Sequence, residues 1–227
     1  GGQFALAAKA PHKEEFTQII EQMTLMAQRS GVDIHLGTLV NKGMVLEESP
    51  AVLIIATGGN PLKIPFPGIE LTRLLMAADI LEGVEQVETH TAFVVGGGLV
   101  GLESADYLAA RGVQVTLVEM LPDVGTDMDV LAKAVLLGRL IERGVAIHTS
   151  TRVTEFIKEE AIAQQNGSAI RFPIETVVMA VGVRSNRSLI DALENNDIEM
   201  YVIGDALKPR KALEAIWEGF DVALSLE

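Results

Sequence analysis

"FVVGGGLVGLESADYLAARGVQVTLVEM", residues 93–120, decides how this chain folds. It opens on an apolar strand and turns at Gly96, Gly98 and Gly101, a G-x-G-x-x-G pattern with Leu99 and Val100 between the last two glycines. A helix follows, then a second apolar strand that ends in Glu119, at about the 20-residue distance of a ribose-binding acid. Each residue has a task. Gly96 permits the tight turn, Gly98 lets backbone approach a pyrophosphate, and Gly101 lets helix and strand pack closely. The first N–H groups of the helix are unpaired and its dipole is positive there, which favours phosphate. A glycine-rich turn without a ligand is the alternative, and Glu119 as a merely solvated acid is another. The full strand, helix, strand and acid pattern weighs against both.

Glu119 also bears on which nucleotide binds. A carboxylate about 4 Å from a 2′-phosphate is repelled by several kcal/mol at an effective dielectric near 20 unless a cation intervenes. The residues that follow, "MLPD", supply no cation. NADH is therefore expected over NADPH.

Composition limits the remaining possibilities. With 227 residues and 48% hydrophobic content, the chain is long enough for one large domain or two modest ones. Acids outnumber bases 31 to 18, a formal net charge of −13, which disfavours nucleic acid as a partner. No apolar run approaches the roughly 20 residues of a membrane span, and no leader is evident, so a soluble cytoplasmic protein is the expectation. The sequence has no cysteine, which excludes disulfides, thiolate zinc sites and iron–sulfur ligation within these residues. Electrons must travel on a bound cofactor. His12, His35, His90 and His148 lack metal-ligand spacing.

A unit recurs along the chain. "MAQRSGVDIHLGT" (26–38), "YLAARGVQVTLVE" (107–119) and "RLIERGVAIHTST" (139–151) each end a helix with a basic residue and glycine, then open a short apolar strand. The preceding helices place Phe16, Ile19, Ile20, Met23 and Ala27 on one face, and Leu131, Val135, Leu136 and Leu140 on another. Met23, Met26 and Trp217 read as core. "AVLIIAT" (51–57), "AFVVG" (92–96), "ETVVMAVG" (175–182) and "MYVIGD" (200–205) read as strands of a parallel sheet buried on both faces. "GGNPLKIPFPG" (58–68) and "GVRSNRSL" (182–189) bracket the fingerprint as linkers. The expected fold is α/β. A Rossmann-like doubly wound domain at 79–182 is inserted in a second Rossmann-like domain made of 1–78 with 183–227.

"GGQFALAAKAPHKEEF", "VLIIATGGNP", the fingerprint, "AVGVRSN" and "MYVIGDALKPRKALEAIWEGFDVA", in that order, resemble the C-terminal part of NADH:flavin oxidoreductases related to 2,4-dienoyl-CoA reductase, 2-enoate reductase and trimethylamine dehydrogenase. The resemblance covers essentially the whole chain. It implies an N-terminal flavin barrel with FMN and an iron–sulfur cluster, followed by domains for FAD and for the pyridine nucleotide. Hydride passes from nicotinamide to FAD, and electrons continue through the cluster to FMN and an activated alkene. By position, the resemblance assigns Gly96, Gly98, Leu99, Val100, Gly101 and Glu119 to the pyridine nucleotide, with Gly182 beside it. Thr57 and Gly58 match the family's "ATG" turn near the flavin nucleotide. Gly204 and Asp205 match the segment whose acid bonds the flavin's ribityl chain. As alternatives, Asp205 caps the next helix and Thr57-Gly58 is an ordinary turn.

The sequence also departs from that family's pattern. Relatives have a first G-x-G-x-x-G upstream of "GGQ", and the barrel with its cluster cysteines precedes that. The expectation is that this chain is the C-terminal nucleotide platform of a longer enzyme, truncated in its FAD domain and inactive alone. A non-enzymatic ADP- or NAD-binding module is a second reading. A relative of the FAD-dependent disulfide reductases is a third, and the lack of cysteine argues against it.

Overall fold

The computed structural model describes residues 1–226. Its helices are α1 (Gly2–Ala7), α2 (Phe16–Arg29), α3 (Lys42–Glu48), α4 (Ala77–Glu82), α5 (Leu99–Ala109), α6 (Val130–Glu142), α7 (Ser188–Leu193) and α8 (Ala212–Ser225). Its strands are β1 (Val52–Ile55), β2 (Gly59–Pro61), β3 (Arg73–Met76), β4 (Thr91–Val95), β5 (Gln114–Val118), β6 (Ala146–His148), β7 (Thr151–Ile157), β8 (Glu160–Gln165), β9 (Ser168–Pro173), β10 (Thr176–Met179), β11 (Val183–Ser185) and β12 (Glu199–Val202). The described chain divides into two compact units, one of residues 1–4, 17–60 and 183–226, the other of 5–16 and 61–182.

The second unit is a five-stranded sheet in the order β3-β10-β4-β5-β6, each neighbour parallel to the next. Side chains alternate across its pleat. Ala92 and Val94 of β4, Val115 and Leu117 of β5 and Val178 of β10 enter a core with Ile80 of α4, Leu102, Ala105 and Leu108 of α5, and Leu136 and Leu140 of α6. Phe93 and Val95, Val118, and Val177 and Met179 enter a second core on the opposite face. That face is covered by the antiparallel sheet β7-β8-β9, which contributes Val153, Phe156 and Ala161. Burial on both faces explains why β4 and β10 read as unbroken apolar runs. Full burial of one such side chain contributes about 1.5–3 kcal/mol.

Segment 61–78, assigned on sequence to the flanking domain, belongs with this unit. Its strand β3 pairs with β10 in register, Leu74 with Val177 and Leu75 with Val178.

The first unit is thinner. β1 and β12 form a two-stranded parallel sheet, Ile55 opposite Val202, and β2 pairs with β11. The expectation that residues 51–57 and 200–205 are buried on both faces fails. Ile54 is 43% exposed, and of β1 only Ile55 is fully buried. Contrary to the expected strand after Gly31, none is present among the described residues before α3, and Val32, Leu36 and Leu39 are exposed with no apolar face to cover them. Met23 and Met26 are not core residues, since α2 buries none of its side chains among the described residues. Trp217 is 60% exposed and is not core either. On α6 the buried stripe is Leu136 and Leu140, whereas Leu131 and Val135 face solvent.

Candidate nucleotide site

The head of α5 is built by the glycines that precede it. Gly96 has φ +108°, and a Cβ there would overlap the Ala180 carbonyl. A Cβ on Gly101 would overlap the Gly96 carbonyl oxygen, so helix and loop backbones touch. Both glycines are therefore explained by the protein itself. Gly98 is different. Its φ of −73° and ψ of −177° suit any residue, and a Cβ there would meet nothing closer than the Asp127 carboxylate at 3.5 Å. The Asp127 carboxylate, in ordinary contact distance, is the one group near a Cβ at Gly98, so no steric conflict within the described residues demands a glycine there, whereas a cradle for a ligand's phosphates does.

Glu119 directly follows β5 beside this loop and is 9% exposed. Its Oε2 accepts the Gly97 N–H at 2.6 Å and its Oε1 accepts the Leu121 N–H at 2.8 Å. The carboxylate thus fixes the loop, and each oxygen keeps a second lone pair for a further donor. At the rim, Asp127 accepts the Leu99 N–H with both carboxylate oxygens, at 3.2 Å each. Gly182 follows the turn that abuts the loop. The Ala180 N–H donates to Val95 O (2.9 Å), and Gly182 O accepts from Leu62 N (2.9 Å).

Behind the loop lie acids that sequence reasoning missed. Glu103 of α5 is buried and pairs with Lys13. Burial pushes its pKa up, and the Lys13 bond and charge pull it down only in part. Asp106, fully buried, accepts from Arg139 Nε (3.0 Å) and Nη2 (2.9 Å) and pairs with Arg143 as well. Only the distant partners at 13, 139 and 143 explain how these acids are buried.

In the first unit, Thr57-Gly58 and Gly204-Asp205 follow the paired strands β1 and β12 and are brought to the same end of that sheet. The Ile203 N–H donates to Ile55 O (3.0 Å). Thr57 Oγ1 donates to Asn186 O (2.9 Å), and Gly58 O accepts the Asn186 N–H (2.9 Å). Asp205 Oδ1 accepts the Arg210 N–H at 3.0 Å, and the Gly204 N–H donates to Glu218 at 2.6 Å. That backbone bond, with Arg210 beside it, holds the Glu218 carboxyl below its usual range against a partial desolvation cost. The glycine fingerprint and its acid form one set, and the two strand-end turns form a second.

Residues 4–219 match the pyridine nucleotide-disulphide oxidoreductase family. This chain belongs to that family. Among relatives, NADH oxidase of Thermoanaerobacter brockii is 32% identical over 98% of this chain and 35% of its own length. Bilirubin reductase of Mediterraneibacter gnavus is 30% identical over 90% of this chain and 32% of its own. A structure of 2-naphthoyl-CoA reductase with 2-naphthoyl-CoA superposes with a TM-score of 0.90 at 25% identity, covering 97% of this chain and 34% of that one. The chain therefore spans about a third of the length of the relatives it matches. The resemblance to flavin oxidoreductases read from the sequence is borne out, as is the Rossmann-like α/β class. As a pyridine nucleotide-disulphide oxidoreductase domain, the chain belongs among oxidoreductases that use FAD and a pyridine nucleotide. The 227 residues include no cysteine. No helix among the described residues is long and apolar enough to cross a membrane.

Proposed function

We propose that the second unit holds NADH at the head of α5, as the nucleotide platform of a longer flavoprotein. In that protein, nicotinamide held at the glycine loop would supply hydride to FAD, and an iron–sulfur cluster and FMN would carry the electrons to an activated alkene. The observation that carries the reading is Gly98, whose lack of a side chain has no cause within the protein. Leu99 and Val100, the first residues of α5, present N–H groups at the positive end of the helix to a pyrophosphate. Glu119, already set by Gly97 and Leu121, accepts the adenosine ribose hydroxyls with its remaining lone pairs and repels a 2′-phosphate. Gly182 keeps side chains clear beside the loop. In the first unit, Asp205 bonds the flavin's ribityl chain at the strand ends it shares with Thr57, Gly58 and Gly204, and Gly58 has open space where a side chain would stand. FAD's own phosphates are held by a glycine loop and helix outside this sequence, and the FMN barrel is the chain's partner in the same polypeptide. The 227-residue chain by itself is then colourless and oxidises no NADH.

Titration of the purified chain by calorimetry tests the reading. NADH should bind more tightly than NADPH. Gly98→Val should abolish binding while leaving the circular dichroism spectrum and melting temperature near the wild type, because the backbone at 98 tolerates a side chain. Normal NADH binding by that variant would refute the cradle. Stoichiometric flavin on the chain as purified would refute the assignment of FAD's phosphate site to residues outside it.

A further inference from the structure

We propose that the Asp127 carboxylate stands in the place of the dinucleotide's pyrophosphate, so that binding at the glycine loop exchanges one anion for another. This rests on the reading of that loop as the dinucleotide cradle. Leu99, the first residue of α5, donates its N–H to both oxygens of Asp127. The atoms nearest to a Cβ on Gly98 are the three of that same carboxylate, at 3.5–4.0 Å. An anion thus already sits where the helix dipole and the unpaired N–H groups draw one.

The segment that carries Asp127 is anchored on both sides. The Gly125 N–H donates to Gly97 O at 2.7 Å, and Val124 is buried against Gly97, whose Cβ would stand 2.6 Å from Val124 Cγ1. On the other side, Asp129 caps α6 by accepting the N–H groups of Leu131 (2.9 Å) and Ala132 (3.3 Å). The turn between the anchors is closed by the Met128 N–H donating to Gly125 O at 3.1 Å, with Met128 packed against the core, so an exchange at the helix head requires only the exposed Asp127 side chain to swing away while its backbone stays in place. Among the described residues Asp127 has no ion-pair partner, since Lys133 is engaged with Asp123 at 2.6 Å. Apart from water, its charge is answered by the Leu99 N–H at the head of α5. A pyrophosphate arriving there meets a like charge at close range, and the repulsion grows as protein replaces water. Asp127 therefore competes for the Leu99 N–H and weakens the affinity of every phosphate-bearing ligand.

Asp127→Asn tests this, because it retains a carbonyl acceptor for Leu99 and removes the charge. Calorimetry of the chain with NADH, ADP and inorganic pyrophosphate should show each bound about tenfold more tightly by the variant, or about 1.4 kcal/mol. The gain should shrink in about 1 M salt, where the Debye length falls to roughly 3 Å. Adenosine, which has no phosphate, should bind equally to both proteins. Asp127→Ser, a second neutral acceptor, should behave like the Asn variant and guards against a local effect of the amide. Equal or weaker NADH binding by both variants, with Gly98→Val still abolishing it in the parent chain, overturns the exchange and leaves the cradle standing. A Gly98→Val chain that binds NADH normally overturns the cradle, and the exchange with it.

Discussion

Glu103 lies one turn into α5, 5% exposed, with Lys13 as its one ion-pair partner among the described residues. Burial raises its pKa above the ordinary 4.5, so between that value and the raised one the folded chain holds more protons than the unfolded chain. Its contribution to stability accordingly falls as pH rises through that window. The difference in unfolding free energy, Glu103→Gln minus wild type, should therefore grow with pH when urea unfolding is followed from about pH 4 to pH 7. A flat or shrinking difference would show that the carboxyl is not raised. Glu119 has a different dual task, because its oxygens brace Gly97 and Leu121 before any ligand arrives. Replacing it by Ser, with Met120→Arg to attract a 2′-phosphate, should move the preference towards NADPH. Two backbone donors then lose their acceptor, at about 1–3 kcal/mol for a buried one. The Kd ratio and the melting temperature read these two effects separately, and an unchanged ratio would place the ribose away from residue 119.

At the scale of elements, α5 and α6 are joined by Asp106, whose carboxylate lies between the guanidinium groups of Arg139 and Arg143. Both arginines keep about a quarter of their side chains in water, at 24% and 29% exposure. Asp106→Asn should accordingly destabilise the chain towards the lower end of the about 3–5 kcal/mol expected when a buried pair loses one partner. Urea unfolding measures it, and a loss under about 1 kcal/mol would rank the pair with surface ion pairs. The sequence announced β4, the glycine turn, α5 and β5 because strand period, turn residues and helix follow each other locally. It gave no sign of Asp106 and Glu103 as buried, since their partners stand at 139, 143 and 13. It also assigned Leu131 and Val135 to a buried face, because periodicity marks an apolar stripe but not what covers it. Asp127 escaped notice for the opposite reason, being an exposed acid in a polar loop until the fold sets it against Leu99.

Across the whole molecule the two units differ in how much core each one owns. The sheet at 73–179 has apolar cores on both faces, including Phe93, Leu117, Val177 and Val178 at 0–2% exposure. The first unit buries few large side chains, Val45, Ile55 and Leu193 among them, and leaves Leu213, Ile216, Trp217, Phe220 and Leu224 of α8 at 51–61% exposure. Spaced at three and four residues, these five form one helical face of the kind that normally packs on something. At about 25 cal/mol per Å² of apolar surface removed from water, stability should follow buried area and be unevenly shared. Local opening in the first unit then requires far less free energy than opening of the five-stranded sheet. Hydrogen exchange followed by mass spectrometry on the purified chain should show the amides of β1, β12 and α8 exchanging well before those of β4, β5 and β10. NADH should slow exchange chiefly at residues 96–101 and 119–129, because a ligand that binds only the folded state protects what it touches. Uniform protection across both units would mean that they unfold as one cooperative body, and that the thin β1–β12 sheet draws its stability from interactions other than the apolar burial described above.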